Sequence, residues 1–283
     1  MISQRPLPAW IAVPLEEFQR GPLWLLFGVA VFGFTLPAFA FKLWYPSAAC
    51  ANVDVATLGW LSGTMQFQVF AWAVVLLALR AGGLRARHVG FLWSQVPVAL
   101  ATTILLWLLV QATVVVGQAV TGAPVSVNPG FGDRYISLVT QVFGVGPRED
   151  TFYIGFLLPQ CYLWLRRGRR WSATKTLVVS LLVTQVFFAA VHIWVDLERG
   201  AVGLEMFPML ARRLLYGLFS ALVWLRTGNL LLCAGFHGLS NEIMPLFVAS
   251  EVLLNTSLVV WTGVLALLWR WPQRDRLAAA QAL

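Results

Sequence analysis

The sequence predicts an all-α polytopic membrane protein, a bundle of about eight transmembrane helices with both termini cytoplasmic. Three observations carry that reading. Apolar residues fill 59% of the 283 positions, and only 32 (20 Lys+Arg and 12 Asp+Glu, 11%) are charged, against about 25% charged in soluble domains. Mostly apolar runs of roughly 20 residues, the length that spans a ~30 Å hydrocarbon core, recur between Gly, Pro or charged residues. Basic residues gather on one side of those runs. A soluble fold would need more polar surface, and a disordered chain less apolar mass.

The runs lie at about 22–43, 58–79, 95–117, 149–165, 175–195, 208–225, 229–247 and 252–269. The first is preceded by Arg5 and Arg20 and contains Ala38-Phe39-Ala40, features of a cleaved leader. Glu16 and Glu17 break the basic leader and the run exceeds a signal core, so it is read as the first membrane helix. The resulting organisation is a cytoplasmic segment 1–21, three membrane helices within 22–118, an outer loop 119–147, a core 148–247, and a last helix with a basic cytoplasmic tail over 248–283. Residues 119–147 are rich in Gly, Pro, Ser and Asn, as a connector or lid would be.

Net charge is +8. A nucleic-acid partner would require the basic residues to share one face of a folded domain, whereas here they sit in short clusters between apolar runs and set topology against anionic lipid. With the N-terminus inside, 14 basic residues face the cytoplasm and six face out: Lys42, Arg134, Arg148, Arg199, Arg212 and Arg213. Tryptophans near run ends, such as Trp44, Trp164 and Trp269, suit interfacial belts. Three cysteines are too few for a disulfide framework. The localisation expected is a bacterial cytoplasmic membrane, with lipid as one partner.

Ionisable groups inside a span cost roughly 2.5–3.5 kcal/mol each on insertion scales, so each needs a partner or a job. Glu149 and Asp150 open the fourth run, His192 lies near the end of the fifth, and His237, Asn241 and Glu242 lie in the seventh. Glu149 precedes Arg166 by 17 residues and His192 follows Lys175 by 17, so both lie ~26 Å above the inner basic ring. His237 and Asn241 lie ~16 and ~22 Å above it. His237 and Asn241 share one helix face at i and i+4, as do Phe188 and His192. Each residue alone fits a packing or capping role; their common depth in the outer half of the bundle points to a site.

The order Glu149-Asp150, then Phe188-Ala-Ala-Val-His192, then His237-Gly-Leu-Ser-Asn241 resembles the CAAX-protease and bacteriocin-processing family of intramembrane endopeptidases. That family shows Glu-Glu-x-x-x-Arg, Phe-x-x-x-His and His-x-x-x-Asn or Asp in this order. The turn Arg226-Thr227-Gly228 ahead of the last motif also looks like the family. The resemblance covers about residues 146–247. It implies hydrolysis of a membrane-tethered peptide or protein by a glutamate-activated water, with Glu149 as general base, His192 holding and polarising the water, and His237 and Asn241 donating to the oxyanion. The assignment suits the chemistry, since oriented donors in a dry site stabilise developing charge.

Two positions depart from the family. The second acid is Asp150 and the Arg is Ile154, so the i, i+4 ion pair that Arg would form with the second acid is lost. Arg148, Arg212 or Arg213 are the candidates to compensate. Two His and a Glu are also zinc-type ligands, but no His-Glu-x-x-His is present and all four groups have roles without metal, so no cofactor is expected. Two other readings predict different features: a proton-coupled transporter relaying through Glu149, His192 and His237 would show inverted repeats, and a catalytically silent peptide-binding immunity protein would keep the cavity without turnover.

Overall fold

In a computed structural model, the protein is described for residues 7, 8, 11, 13, 15, 18–26, 28, 42–58, 60–168, 171–198 and 200–269. Among these no strand forms beyond an isolated bridge between Val127 and Phe247. The helices are α1 (Ala48–Ala56), α2 (Gly63–Ala81), α3 (Val96–Thr121), α4 (the consecutive stretches Tyr135–Thr140, Gln141–Val145, Gly146–Asp150, Thr151–Leu157 and Leu158–Gly168), α5 (Ala173–Val191), α6 (Ile193–Glu198), α7 (Met206–Thr227), α8 (Leu230–Asn241) and α9 (Glu251–Leu268).

Five helical stretches are long and apolar enough to cross a bilayer: Gly63–Ala81, Trp93–Thr121, Ala173–Leu197, Gly203–Thr227 and Glu251–Leu268. They correspond to the second, third, fifth, sixth and eighth runs of the sequence. Their outer faces expose large apolar side chains, among them Leu77 (70%), Val120 (81%) and Leu215 (65%), a surface that lipid covers at no hydrophobic cost. The protein is an integral, multi-pass, all-α membrane protein. Residues 27 and 29–41 of the first run, including the Ala38-Phe39-Ala40 cleavage signal, lie outside the described residues, as does the tail after Trp269.

Two runs differ from expectation. Glu149 and Asp150 do not open their helix, because α4 begins at Tyr135, 14 residues earlier, so 135–147 is helical and not loop. Of the Gly144, Gly146 and Pro147 that read as loop punctuation, Gly144 lies within a π-helical stretch, Gln141–Val145, and Gly146 and Pro147 follow it directly, where wider i→i+5 turns accommodate a proline that an ideal helix interior would reject. The seventh run does not span. Helix α8 stops at Asn241, ~18 Å after it starts, and Glu242 turns extended at φ −150°. Glu242 is buried and bound by Arg134 (3.2 Å) and the Ser137 hydroxyl (3.1 Å), which anchors the chain where it leaves the helix. The extended segment after it is laid against 126–128 by Asn128 N–H to Leu246 O and Val248 N–H to Ser126 O.

The predicted Arg226-Thr227-Gly228 turn forms. Helix α7 ends on Gly228 at φ +64°, the left-handed region open to glycine, and the Asn229 side chain accepts from Leu232 N–H to start α8. The described residues of the segment 1–21, expected as cytoplasmic, pack into the bundle: Ile11, Val13, Leu15 and Phe18 are buried with Leu158, Tyr162 and Trp224. Gly21 N–H donates to Gln160 Oε1 and Gln160 Nε2 donates to Gln19 O, tying it to α4.

Candidate active site

Helix α4 is central to the candidate site. Its short α-helical stretch Gly146–Asp150 lies between two π-helical ones, Gln141–Val145 and Thr151–Leu157, and π-turns inside α-helices mark functional sites more often than ordinary helix does. Helix α8 packs against it backbone to backbone. A Cβ on Gly146 would collide with Ala234 O, and one on Gly238 would meet Val142 Cα at 2.6 Å. Glycines at these two crossings let the helix axes approach until Glu149 and Asp150 face His237 across the seam.

The approach brings three of the four sequence-predicted catalytic candidates together. His192 Nε2 and His237 Nε2 are each 3.7 Å from the same atom, Glu149 Oε2. His237 Nδ1 is 3.1 Å from Asp150 Oδ1, and the Arg148 guanidinium is 2.5 Å from Glu149 Oε1. Glu149, Asp150, Arg148 and His192 are all buried. Phe188 forms the wall: its ring is 4.6 Å from that of His192 and 6.2 Å from that of His237.

The hydrogen bonds fix which imidazole nitrogen faces the glutamate. His192 Nδ1 is 2.7 Å from Phe188 O, and a carbonyl only accepts, so Nδ1 carries the hydrogen. His237 Nδ1–H is likewise held by Asp150. A neutral ring in either place then turns its Nε2 lone pair toward Glu149 Oε2. Oε2 itself has no hydrogen-bond partner among the described residues. Three acceptors therefore converge, an arrangement that suits a water molecule donating both its hydrogens. The histidines donate from Nε2 only when doubly protonated.

The fourth candidate stands apart. Asn241 is exposed at the end of α8, and its Nδ2 donates to Gln141 Oε1 at 3.0 Å. Gln141 was missed by sequence reading, because the segment containing it read as loop. The compensation expected for the missing motif Arg takes another form. Ile154 is buried in an apolar cluster with Leu158 and Leu230, Asp150 is served by His237, and Arg148 binds Glu149 instead of Asp150. Arg213 pairs with Asp196, a fully buried carboxylate one turn beyond His192 whose N–H donates to His192 O. Arg212 is exposed. Asp196 carried no sequence signal of its own.

No group of three His, Cys, Asp or Glu among the described residues is arranged to hold a metal ion, and the Arg148 cation already occupies one oxygen of the Glu149 carboxylate.

Fold and site together define a polytopic membrane protein with a buried carboxylate–imidazole centre. Its residues 132–243 match the family model described as type II CAAX prenyl endopeptidase Rce1-like, the relationship that the three motifs predict. The matched segment holds Arg148, Glu149, Asp150, Phe188, His192, His237 and Asn241. The match is to a family of membrane-embedded peptide hydrolases and supports an intramembrane protease of CAAX type. No curated protein and no solved structure matches the chain.

Proposed function

We propose that the protein is an intramembrane endopeptidase that cleaves a membrane-tethered peptide or protein with a water activated by Glu149. The observation that carries this reading is the pair of 3.7 Å approaches of His192 Nε2 and His237 Nε2 to Glu149 Oε2. A water between them gives a proton to Glu149 as its oxygen attacks the scissile carbonyl carbon. The C=O π pair moves to oxygen, and on collapse the C–N bond breaks as the amine takes the proton from Glu149. His192, locked by Phe188 O, orients the water. Doubly protonated His237, oriented by Asp150, and Asn241 at the mouth donate to the oxyanion. No metal takes part.

The site works in the outer half of the bilayer. Support comes from the 17-residue distances of Glu149 and His192 from the basic residues Arg166 and Lys175 and from the excess of basic residues on that side of the runs. The substrate is then an anchored or exported chain cut near one end, and not a cytosolic prenylated C-terminus. Terminal-peptide proteomics of membrane and secreted fractions, comparing cells carrying the parent or Glu149→Gln, tests this. A terminus made only by the parent is expected; identical termini in both would reject it. Chelation with a zinc-binding ligand is expected to leave cleavage intact, and zinc-reversible loss would reject the metal-free mechanism.

A further inference from the structure

Peptide hydrolysis by the proposed route builds negative charge on the carbonyl oxygen, and donors aimed at that atom are where such enzymes gain most. The centre is short of them. The two assigned above are doubly protonated His237 and Asn241, and Asn241 Nδ2 already gives one hydrogen to Gln141, while His192 Nδ1 is bound to Phe188 O and Arg148 to Glu149 Oε1.

We propose that Tyr153 is a further catalytic residue, its phenol O–H donating to the scissile carbonyl oxygen as that atom becomes an oxyanion. This rests on the hydrolase reading above. Tyr153 is only 2% exposed, and its hydroxyl has no hydrogen-bond partner among the described residues. A buried phenol ordinarily finds one, because burying an unmet O–H is costly.

Its position on α4 aims it at the centre. Tyr153 follows Glu149 by four residues inside the π-helical stretch Thr151–Leu157. Positions 149 and 153 are i and i+4, which share one helix face. Helical side chains lean toward the N-terminus of their helix, which here is toward Glu149. The hydroxyl lies within the fields of both the Glu149 carboxylate and the Arg148 guanidinium.

The ring is held by the same wall as the imidazoles. It packs edge-on against Phe188 at 5.0 Å, and Phe188 carries His192 and His237 on its other contacts. Phe152 and Phe187 pack against it as well, at 4.6 and 6.2 Å. The phenol therefore has a fixed ring and an uncommitted O–H, the combination expected of a donor reserved for a ligand. It donates a hydrogen bond only; the water's proton still goes to Glu149 and then to the leaving amine.

Tyr153→Phe removes the hydroxyl and keeps the ring. The test uses the full-length protein in liposomes with a randomised library of lipid-tethered peptides, following a member that the parent cleaves and Glu149→Gln does not. Tyr153→Phe is expected to lower kcat by about 10²–10³-fold, the scale for one lost oxyanion donor, with KM changed by less than about threefold. Its midpoint of thermal unfolding should equal or exceed the parent's, because no protein hydrogen bond is lost. A lower midpoint would show a structural partner for the hydroxyl and overturn the proposal. Full activity of Tyr153→Phe beside an inactive Glu149→Gln would overturn it while leaving the hydrolase reading in place. A parent that cleaves no member, or a Glu149→Gln that cleaves as the parent does, would overturn that reading and the role of Tyr153 with it.

Discussion

His237 and Asp150 are 87 positions apart in sequence and 3.1 Å apart in the fold, Nδ1 to Oδ1. Their contact crosses the seam between α8 and α4 and decides which nitrogen of His237 faces Glu149. Asp150→Asn keeps the volume but lets the amide present either a donor or an acceptor, so the tautomer of His237 is no longer fixed. It should lower kcat by about 10–100-fold, the scale for removing a group that orients a reacting one, and leave substrate binding nearly unchanged. Steady-state kinetics on a cleaved reporter checks it; unchanged kcat would mean that Asp150 does not orient the ring.

The seam itself depends on glycine. Gly146→Ala would drive a methyl into Ala234 O, a backbone atom that cannot swing aside. Destabilisation of about 1–3 kcal/mol is expected from the overpacking, seen as a lower unfolding midpoint in detergent, together with reduced cleavage as Glu149 and His237 separate. Gly132→Ala, where no atom lies within 4 Å of the added Cβ, is the control and should change neither.

How much of this centre can be read from the chain follows from what sets each position. Counting residues from Arg166 and Lys175 on ideal helix puts Glu149 and His192 at one depth. The two do meet, His192 Nε2 lying 3.7 Å from Glu149 Oε2, although the helix between Glu149 and Arg166 includes the π-helical stretch Thr151–Leu157, whose different rise the count ignores. The i, i+4 pairing of Phe188 with His192 likewise survives into a ring contact. The start of α4 does not follow from local signals. Gly144, Gly146 and Pro147 have the composition of a turn, and only packing against α8 and a π-helical stretch make them helical. Asn241 shares the His237 face on an ideal helix, yet α8 ends there and its amide finds Gln141, a residue whose helical placement was itself hidden. The partners of Arg148 and Arg213 depended on tertiary approach, which no spacing along the chain reveals.

Outside the spans, His88 gives a pH prediction. It is buried in the turn Ala86–Val89, and burial first, then the charges of Arg87 and Arg85, lower its pKa below the usual imidazole range. The folded protein therefore resists protonation more than the unfolded chain does. Stability from this residue is complete above about pH 6.5 and declines as pH falls through the lowered value. The unfolding midpoint should drop between pH 7.5 and 5.5, and His88→Gln should flatten that dependence. An unchanged slope in the variant would remove His88 as its source.

Orientation can be read without a substrate. In a variant with Cys50, Cys161 and Cys233 replaced, a single cysteine at Ser126, which is exposed, should react with an impermeant maleimide on intact cells. One at Ser172, the exposed N-cap of α5, should react only after the membrane is opened. The reverse pattern would turn the bundle over and bring cytosolic lipidated chains back as substrates.

The central claim is that water activated by Glu149 attacks the peptide bond. Single-turnover cleavage of a reporter in ¹⁸O-labelled water, by purified parent and by Glu149→Gln, tests it most directly. Gln keeps an acceptor for Arg148 and fills the same space, so the variant should fold, but it cannot take the water's proton. The account predicts one ¹⁸O atom in the new C-terminal carboxyl of the parent's product and no product from Glu149→Gln. Cleavage by Glu149→Gln at the parent's rate, or a first-turnover product without ¹⁸O, would contradict it.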